Sequence, residues 1–232
     1  MVGYRILRDQ SIIIPGSYCP ECKHCLCWYD TIPLISYFLL GGKCRYCHTK
    51  ISYLYPLIEL ITAITLLLLI ILVPSEYWAG YFIFYSALIV TIRTDLEQML
   101  ISRYATLMLV PMGWILSAIE WLPISLYESV IGSIIGYGIL WVIGHIFTRI
   151  TGKMGLGQGD LEMLAFIGAF TGPAGCGLTL TIASTLGALT GLLYTSIFNQ
   201  KKTIMIPFGP FLALGATIYT LFQNEAFLLF LG

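Results

Sequence analysis

Apolar runs of membrane-spanning length, separated by short polar breaks, fill the chain beyond residue 52. A helix crosses the ~30 Å of bilayer hydrocarbon with roughly 20 apolar residues. By that measure the pattern predicts seven spans, near Tyr53–Val73, Tyr77–Ile92, Leu100–Leu122, Leu126–Phe147, Leu161–Cys176, Leu178–Phe198 and Ile204–Phe222. The one sizeable polar segment comes first, over residues 1–52, with turn formers at Pro15-Gly16 and Gly41-Gly42. The expected organisation is therefore a polar segment over 1–52 followed by a transmembrane domain over 53–232. The fold class is all-α and polytopic.

Charge orients these spans. If they alternate across the bilayer, residues 1–52, 93–103, 148–160 and 199–203 share one face. That face collects all 12 Lys and Arg residues: Arg5, Arg8, Lys23, Lys43, Arg45, Lys50, Arg93, Arg103, Arg149, Lys153, Lys201 and Lys202. The opposite connections carry Glu76, Glu120, Glu128 and Glu225 and no base. The positive-inside rule then sets the polar segment on the cytoplasmic side. Composition agrees with a lipid environment: 58% hydrophobic, 10% charged, and a mean hydropathy of +0.86. The zero net charge gives no reason to expect a nucleic-acid partner.

Six of the seven cysteines crowd between Cys19 and Cys47. Cytoplasmic thiols stay reduced, which disfavours a disulfide framework. Two C-x-x-C turns separated by a spacer suit a tetrahedral zinc, since each turn directs two thiolates at one ion. The second turn is Cys44-Arg45-Tyr46-Cys47. The first is either Cys19/Cys22, with 21 residues before Cys44, or Cys22/Cys25, with 18. His24 and His48 are alternative ligands. Four protein ligands leave no open position, so the expected role of zinc is structural.

The sharpest polar interruption is Met154-Gly155-Leu156-Gly157-Gln158-Gly159-Asp160, set between two apolar runs. Asp160 opens the following helix, where an acid caps free N–H groups and meets the positive end of the dipole. A second acid, Asp95, lies at a comparable boundary where the second span ends. Two neighbouring carboxylates share a proton, so one activates a water while the other acts as an acid. Gly157 and Gly159 would then admit a substrate backbone, with Glu59 in the first span a further candidate for substrate contact. Two other readings fit this composition. A non-catalytic membrane zinc or redox protein would need the cysteines and not the acids; a proton-coupled transporter would use the acids as carriers, although they lie at one face and not at mid-membrane.

A set of motifs selects among these. Ser17-Tyr18-Cys19-Pro20-Glu21-Cys22, Trp28-Tyr29-Asp30-Thr31-Ile32-Pro33-Leu34-Ile35-Ser36-Tyr37 and Gly41-Gly42-Lys43-Cys44-Arg45-Tyr46-Cys47 occur in that order. Tyr55-Pro56-Leu57-Ile58-Glu59-Leu60, Gly157-Gln158-Gly159-Asp160 and Ile206-Pro207-Phe208-Gly209-Pro210-Phe211 follow. Together they resemble the type IV prepilin peptidases, membrane aspartyl proteases of the G-x-G-D class. The resemblance implies that Asp95 and Asp160 are the catalytic pair and that Cys19, Cys22, Cys44 and Cys47 bind zinc. It also implies cleavage of prepilin or pseudopilin leaders at the cytoplasmic membrane of a prokaryote, after a Gly and usually before a Phe. Many members also methylate the new N-terminus with S-adenosylmethionine.

The sequence departs from the family pattern in places. Family members usually begin one transmembrane helix earlier. The Ile-Pro-Asp/Asn stretch after the first aspartate reads Ile101-Ser102-Arg103, and Glu162 stands where Lys is common. If Glu162 lay close to Asp160, its charge would move the pH optimum upward.

Overall fold

The structure is a computed structural model, and it describes residues 17–152, 155–198 and 207–231. Arg5, Arg8, Lys153, Met154, Lys201, Lys202 and the predicted start of the last span at Ile204–Ile206 lie outside the described residues. The chain forms two compact units, Met1–Leu67 and Leu68–Gly232.

In the first unit, two small hairpins flank a single turn of 3-10 helix at Trp28–Thr31 and a short helix, α1, at Ile35–Leu39. The hairpins are built alike. In each, the amide of the first cysteine donates to the carbonyl five residues on, Cys19 to His24 and Cys44 to Thr49, at 3.0 and 2.9 Å. In each, the residue after the second cysteine, Lys23 or His48, takes a left-handed conformation at φ 58° or 56°. Helix α2, Leu54–Leu72, is apolar along its length and exposes Leu57, Leu60, Ile64, Leu67 and Ile70. Such a face is stable against lipid and costly in water.

The second unit contains α3 (Trp78–Gln98), α4 (Val110–Ala118), α5 (Leu126–Thr151), α6 (Gln158–Phe198) and α7 (Gly209–Leu231). Helix α6 is central: it packs against α5, α7 and α4, and α3 packs against α7. Phe84 of α3 stacks on Phe166 and Phe170 of α6 with ring centroids 5.3 and 5.2 Å apart. The α5–α6 crossing is a meeting of glycines. A Cβ on Gly132 would collide with the Gly168 carbonyl, one on Gly168 with that of Gly132, and one on Gly136 with that of Leu164. Gly132/Gly136 and Gly168/Gly172 are each four apart, the small-residue spacing that lets membrane helices approach closely. The lone Cys176 is buried in this crossing, its thiol donating to the Gly132 carbonyl at 3.4 Å.

Among the described residues, α2, α5 and the 158–197 stretch of α6 are long and apolar enough to cross a membrane. Two predicted spans differ from the elements that form. Leu100–Leu122 is not one helix: residues 99–106 are turns, a 3-10 turn covers Leu107–Leu109, and only Val110–Ala118 is α-helical. Conversely, the predicted break between the fifth and sixth spans near Gly177 is continuous helix. The interruption falls at Gly172, φ 71° and ψ −175°, immediately before Pro173. Glycine takes that conformation without a Cβ penalty, and proline cannot donate the next helical hydrogen bond.

Candidate functional site

Asp95 sits on the last full turn of α3 and is buried. Its Oδ2 accepts the amide N–H of Gly209, the first residue of α7, at 2.9 Å. Asp160 is the third residue of α6, and its Oδ2 accepts the amide N–H of Gly157 at 3.3 Å. A carboxylate at the third helical position reaching back to the residue before the helix is the acidic half of a capping box. Each acid therefore meets the positive end of a helix, Asp160 that of α6 and Asp95 that of α7. The two carboxylates lie close enough for the charge of Asp95 to act on Asp160. The two sequence-predicted acids, 65 positions apart in the chain, thus each sit at a helix end with a glycine amide as hydrogen-bond donor.

The glycines around this pair are tightly packed. A Cβ on Gly209 would fall 2.7 Å from Asp95 Oδ2, and one on Gly157 3.3 Å from Asp160 Oδ2. Gly159 faces Ile101, whose Cβ would lie 2.6 Å from a Cβ there. Gly209, which the sequence offered only as part of the motif Ile206–Phe211, delivers the hydrogen bond to Asp95. The signal was present as a glycine opening an apolar helix; its partner is 114 residues away.

Glu162 differs from expectation. Its carboxylate is buried and accepts Nε of Arg103 at 2.8 Å, so a cation on the loop compensates its charge.

In the first unit, Cys19, Cys22, Cys44 and Cys47 converge, with their four sulfurs all within 4.8 Å of one another. A tetrahedral zinc with Zn–S of about 2.3 Å requires sulfurs about 3.8 Å apart. Cys19 Sγ and Cys47 Sγ are 3.8 Å apart, so the cluster fits that ion. The spacing ambiguity resolves in favour of Cys19/Cys22. Cys25 is exposed outside the cluster, and His24 stacks on Tyr46 with ring centroids 3.6 Å apart. The Cys47 thiol is pulled down to about 6, first by its hydrogen bond with the Thr49 hydroxyl and next by the Thr49 backbone. Cys22 feels the downward pull of a backbone hydrogen bond from His24, but desolvation and the crowding of Cys19 and Cys47 push it up to about 11. Four thiols this close cannot all ionise without a cation among them.

Beside the cluster is a cavity of about 380 Å³, lined by Cys19, Asp30, Tyr37, Arg45, Tyr55 and Glu59 among others. Glu59 accepts the amide N–H of Leu34 at 2.8 Å, tying the short-helix segment to α2. Asp30 has a side chain only 2% exposed; Arg45 holds its Oδ1 at 2.8 Å, and its Oδ2 is buried with no hydrogen-bond partner among the described residues.

Residues 1–73 match the bacterial peptidase A24 N-terminal domain, and residues 82–192 match the type IV leader peptidase family. A prepilin leader peptidase/N-methyltransferase of Aeromonas hydrophila is 34% identical over 216 residues, covering 93% of this chain and 74% of the relative. Proteins of the same description are 33% identical in Pseudomonas aeruginosa, over 93% of this chain and 74% of the relative, and 36% identical in Burkholderia pseudomallei strain 1026b, over 96% and 72%. No solved structure gives a significant match.

Proposed function

The chain belongs to the type IV leader peptidase family, and we propose that it is a membrane aspartic endopeptidase that removes leaders from type IV prepilin-like precursors at the cytoplasmic face. The observation that carries this reading is that Asp95 and Asp160, delivered by two different helices, each accept a glycine amide and lie within reach of one another's charge. The sidedness rests on the confinement of every Lys and Arg to one set of connections.

In the proposed reaction the pair holds one proton. The ionised carboxylate takes a proton from water as the water oxygen bonds to the scissile carbonyl carbon. The protonated partner gives its proton to the carbonyl oxygen. Collapse of the tetrahedral intermediate breaks the C–N bond: the proton gained from water passes to the leaving amine, while the aspartate that protonated the carbonyl oxygen takes back a proton from a hydroxyl of the intermediate, which leaves a carboxylic acid and restores the one-proton pair. Helix N-termini beside both acids stabilise the negative charge that moves between them.

Zinc, when bound by Cys19, Cys22, Cys44 and Cys47, supplies structural cross-linking of the two hairpins. N-methylation of the new N-terminus is the second proposed activity, with S-adenosylmethionine as the methyl donor when bound. A cavity of about 380 Å³ falls in the size range of small-molecule sites. Asp30 Oδ2, without a partner among the described residues, fits a hydroxyl or amino donor of such a ligand, and Arg45 holds that carboxylate in place.

The test is incubation of the purified protein with a prepilin and S-adenosylmethionine, reading leader removal and N-terminal mass together. Asp95→Asn and Asp160→Asn are expected to abolish cleavage with folding and zinc content unchanged. Asp30→Asn is expected to reduce methylation while leaving cleavage at the wild-type rate. Cleavage persisting in either aspartate variant refutes the aspartic mechanism; equal methylation by Asp30→Asn refutes the assignment of the cavity.

A further inference from the structure

The geometry points to Arg103 and Glu162 as positioning residues whose ion pair fixes Asp160 relative to Asp95. This inference rests on the catalytic role proposed above for the two aspartates. Met99 closes α3 in a left-handed conformation, φ 54°, with its amide donating to the carbonyl of Asp95 itself at 2.9 Å. The chain then makes a compact turn. The Ala105 amide donates to the Ser102 carbonyl at 3.0 Å, the Met108 amide to the Arg103 carbonyl at 3.0 Å, and the Thr106 hydroxyl to the Ser102 carbonyl at 3.2 Å. Ala105 and Thr106 are buried, so this turn is anchored at its far end too.

From that turn two side chains reach the first turn of α6. Ile101 packs on Gly159 so closely that a Cβ there would collide with it, and Arg103 Nε donates to Glu162 Oε1 at 2.8 Å. Gly159 and Glu162 are three apart and lie on one helix face. Asp160, one residue beyond Gly159, is rotated about 100° away from that face. The strap therefore grips the helix beside the acid without occupying it. The pair is also strongly asymmetric in exposure: the Arg103 side chain is 57% exposed and that of Glu162 only 3%. A buried polar group is costly without a hydrogen-bond partner, and the strap supplies that partner to Glu162. Since the strap leads directly out of the turn that carries Asp95, the pair links the frames of the two acids. A misplacement of about 1 Å at a reacting group costs on the order of 100-fold in rate.

The experiment measures steady-state prepilin cleavage by the full chain in detergent for Arg103→Glu, Glu162→Lys, Glu162→Gln and the reversed pair Arg103→Glu/Glu162→Lys, with Asp160→Asn as reference. Each single variant is expected to lower kcat by about 10- to 100-fold with KM within about twofold. The reversed pair is expected to recover to within about fivefold of wild type, because it restores the attraction with opposite polarity. Wild-type kcat in Glu162→Gln and Arg103→Glu overturns the inference. So does a reversed pair that melts like wild type yet is no more active than the weaker single variant. An active Asp160→Asn brings down the catalytic reading and the positioning role with it. An inactive Asp160→Asn beside unaffected single variants overturns the positioning role alone.

Discussion

Gly209 and Gly157 each give one amide hydrogen to an aspartate, and neither position has room for a larger residue at equal cost. The constraint is tighter at Gly209, where an added Cβ would fall 2.7 Å from Asp95 Oδ2, against 3.3 Å at Gly157. Gly209→Ala is therefore expected to lower kcat on the order of 100-fold with little change in KM, and Gly157→Ala to do so less; single-turnover cleavage by the two variants checks the order. The thiols give a second prediction at this scale. In zinc-stripped protein near neutral pH, Cys47, held at about 6, is mostly thiolate, whereas Cys22, raised to about 11, keeps its proton. Mass-spectrometric mapping of a brief alkylation should find Cys47 modified ahead of Cys22, with both protected when zinc is restored. What was legible in the sequence at this scale was local. The C-x-x-C turns and the G-x-G-D turn place their chemistry within a few residues. Gly209 and Arg103 were not legible, because each acts on a group more than fifty positions away. The two departures from the family pattern near the acids, Arg103 and Glu162, are the two ends of one ion pair.

The elements follow hydropathy where a run of apolar residues ends in a clear polar cap. The start of α5 is such a place: the Ser125 side chain accepts the Glu128 amide while the Glu128 carboxylate accepts the Ser125 amide at 2.8 Å, and Gly152 closes the helix at φ 68°. Hydropathy fails where composition and backbone disagree. Residues 100–122 are apolar on average, yet Ser102, Arg103 and Tyr104 belong to the turn that meets α6. Beyond Glu162 the 158–198 helix has no charged residue, so only the Gly172-Pro173 dipeptide marks its break. Packing at the α5–α6 crossing is specified by absent side chains, which gives a direct test. Gly168→Leu is expected to abolish the close approach and to lower the melting temperature by many degrees, as a core overpacking does. Gly138→Ala on the same α5 helix is the control: nothing lies within 4 Å of its Cβ position, and replacing a helical glycine there should be neutral or stabilise by up to about 1 kcal/mol.

The molecule divides its candidate chemistry between two units, with the cysteine cluster and cavity in Met1–Leu67 and the aspartates in Leu68–Gly232. Chelation is therefore expected to release one zinc per chain and to expose the 17–52 region to proteolysis, as measured by metal analysis alongside limited digestion. A zinc or redox protein without peptidase activity would need the cysteines alone; a peptidase needs both acids. The central claim is that Asp95 and Asp160 work as one proton-sharing unit, and double-variant kinetics test it most directly. Residues that act as a unit are strongly non-additive. Cleavage rates of Asp95→Asn, Asp160→Asn and the double variant should be alike, each single substitution removing as much activity as both together. Additive losses, or a single variant that retains a substantial part of the wild-type rate, would contradict the account.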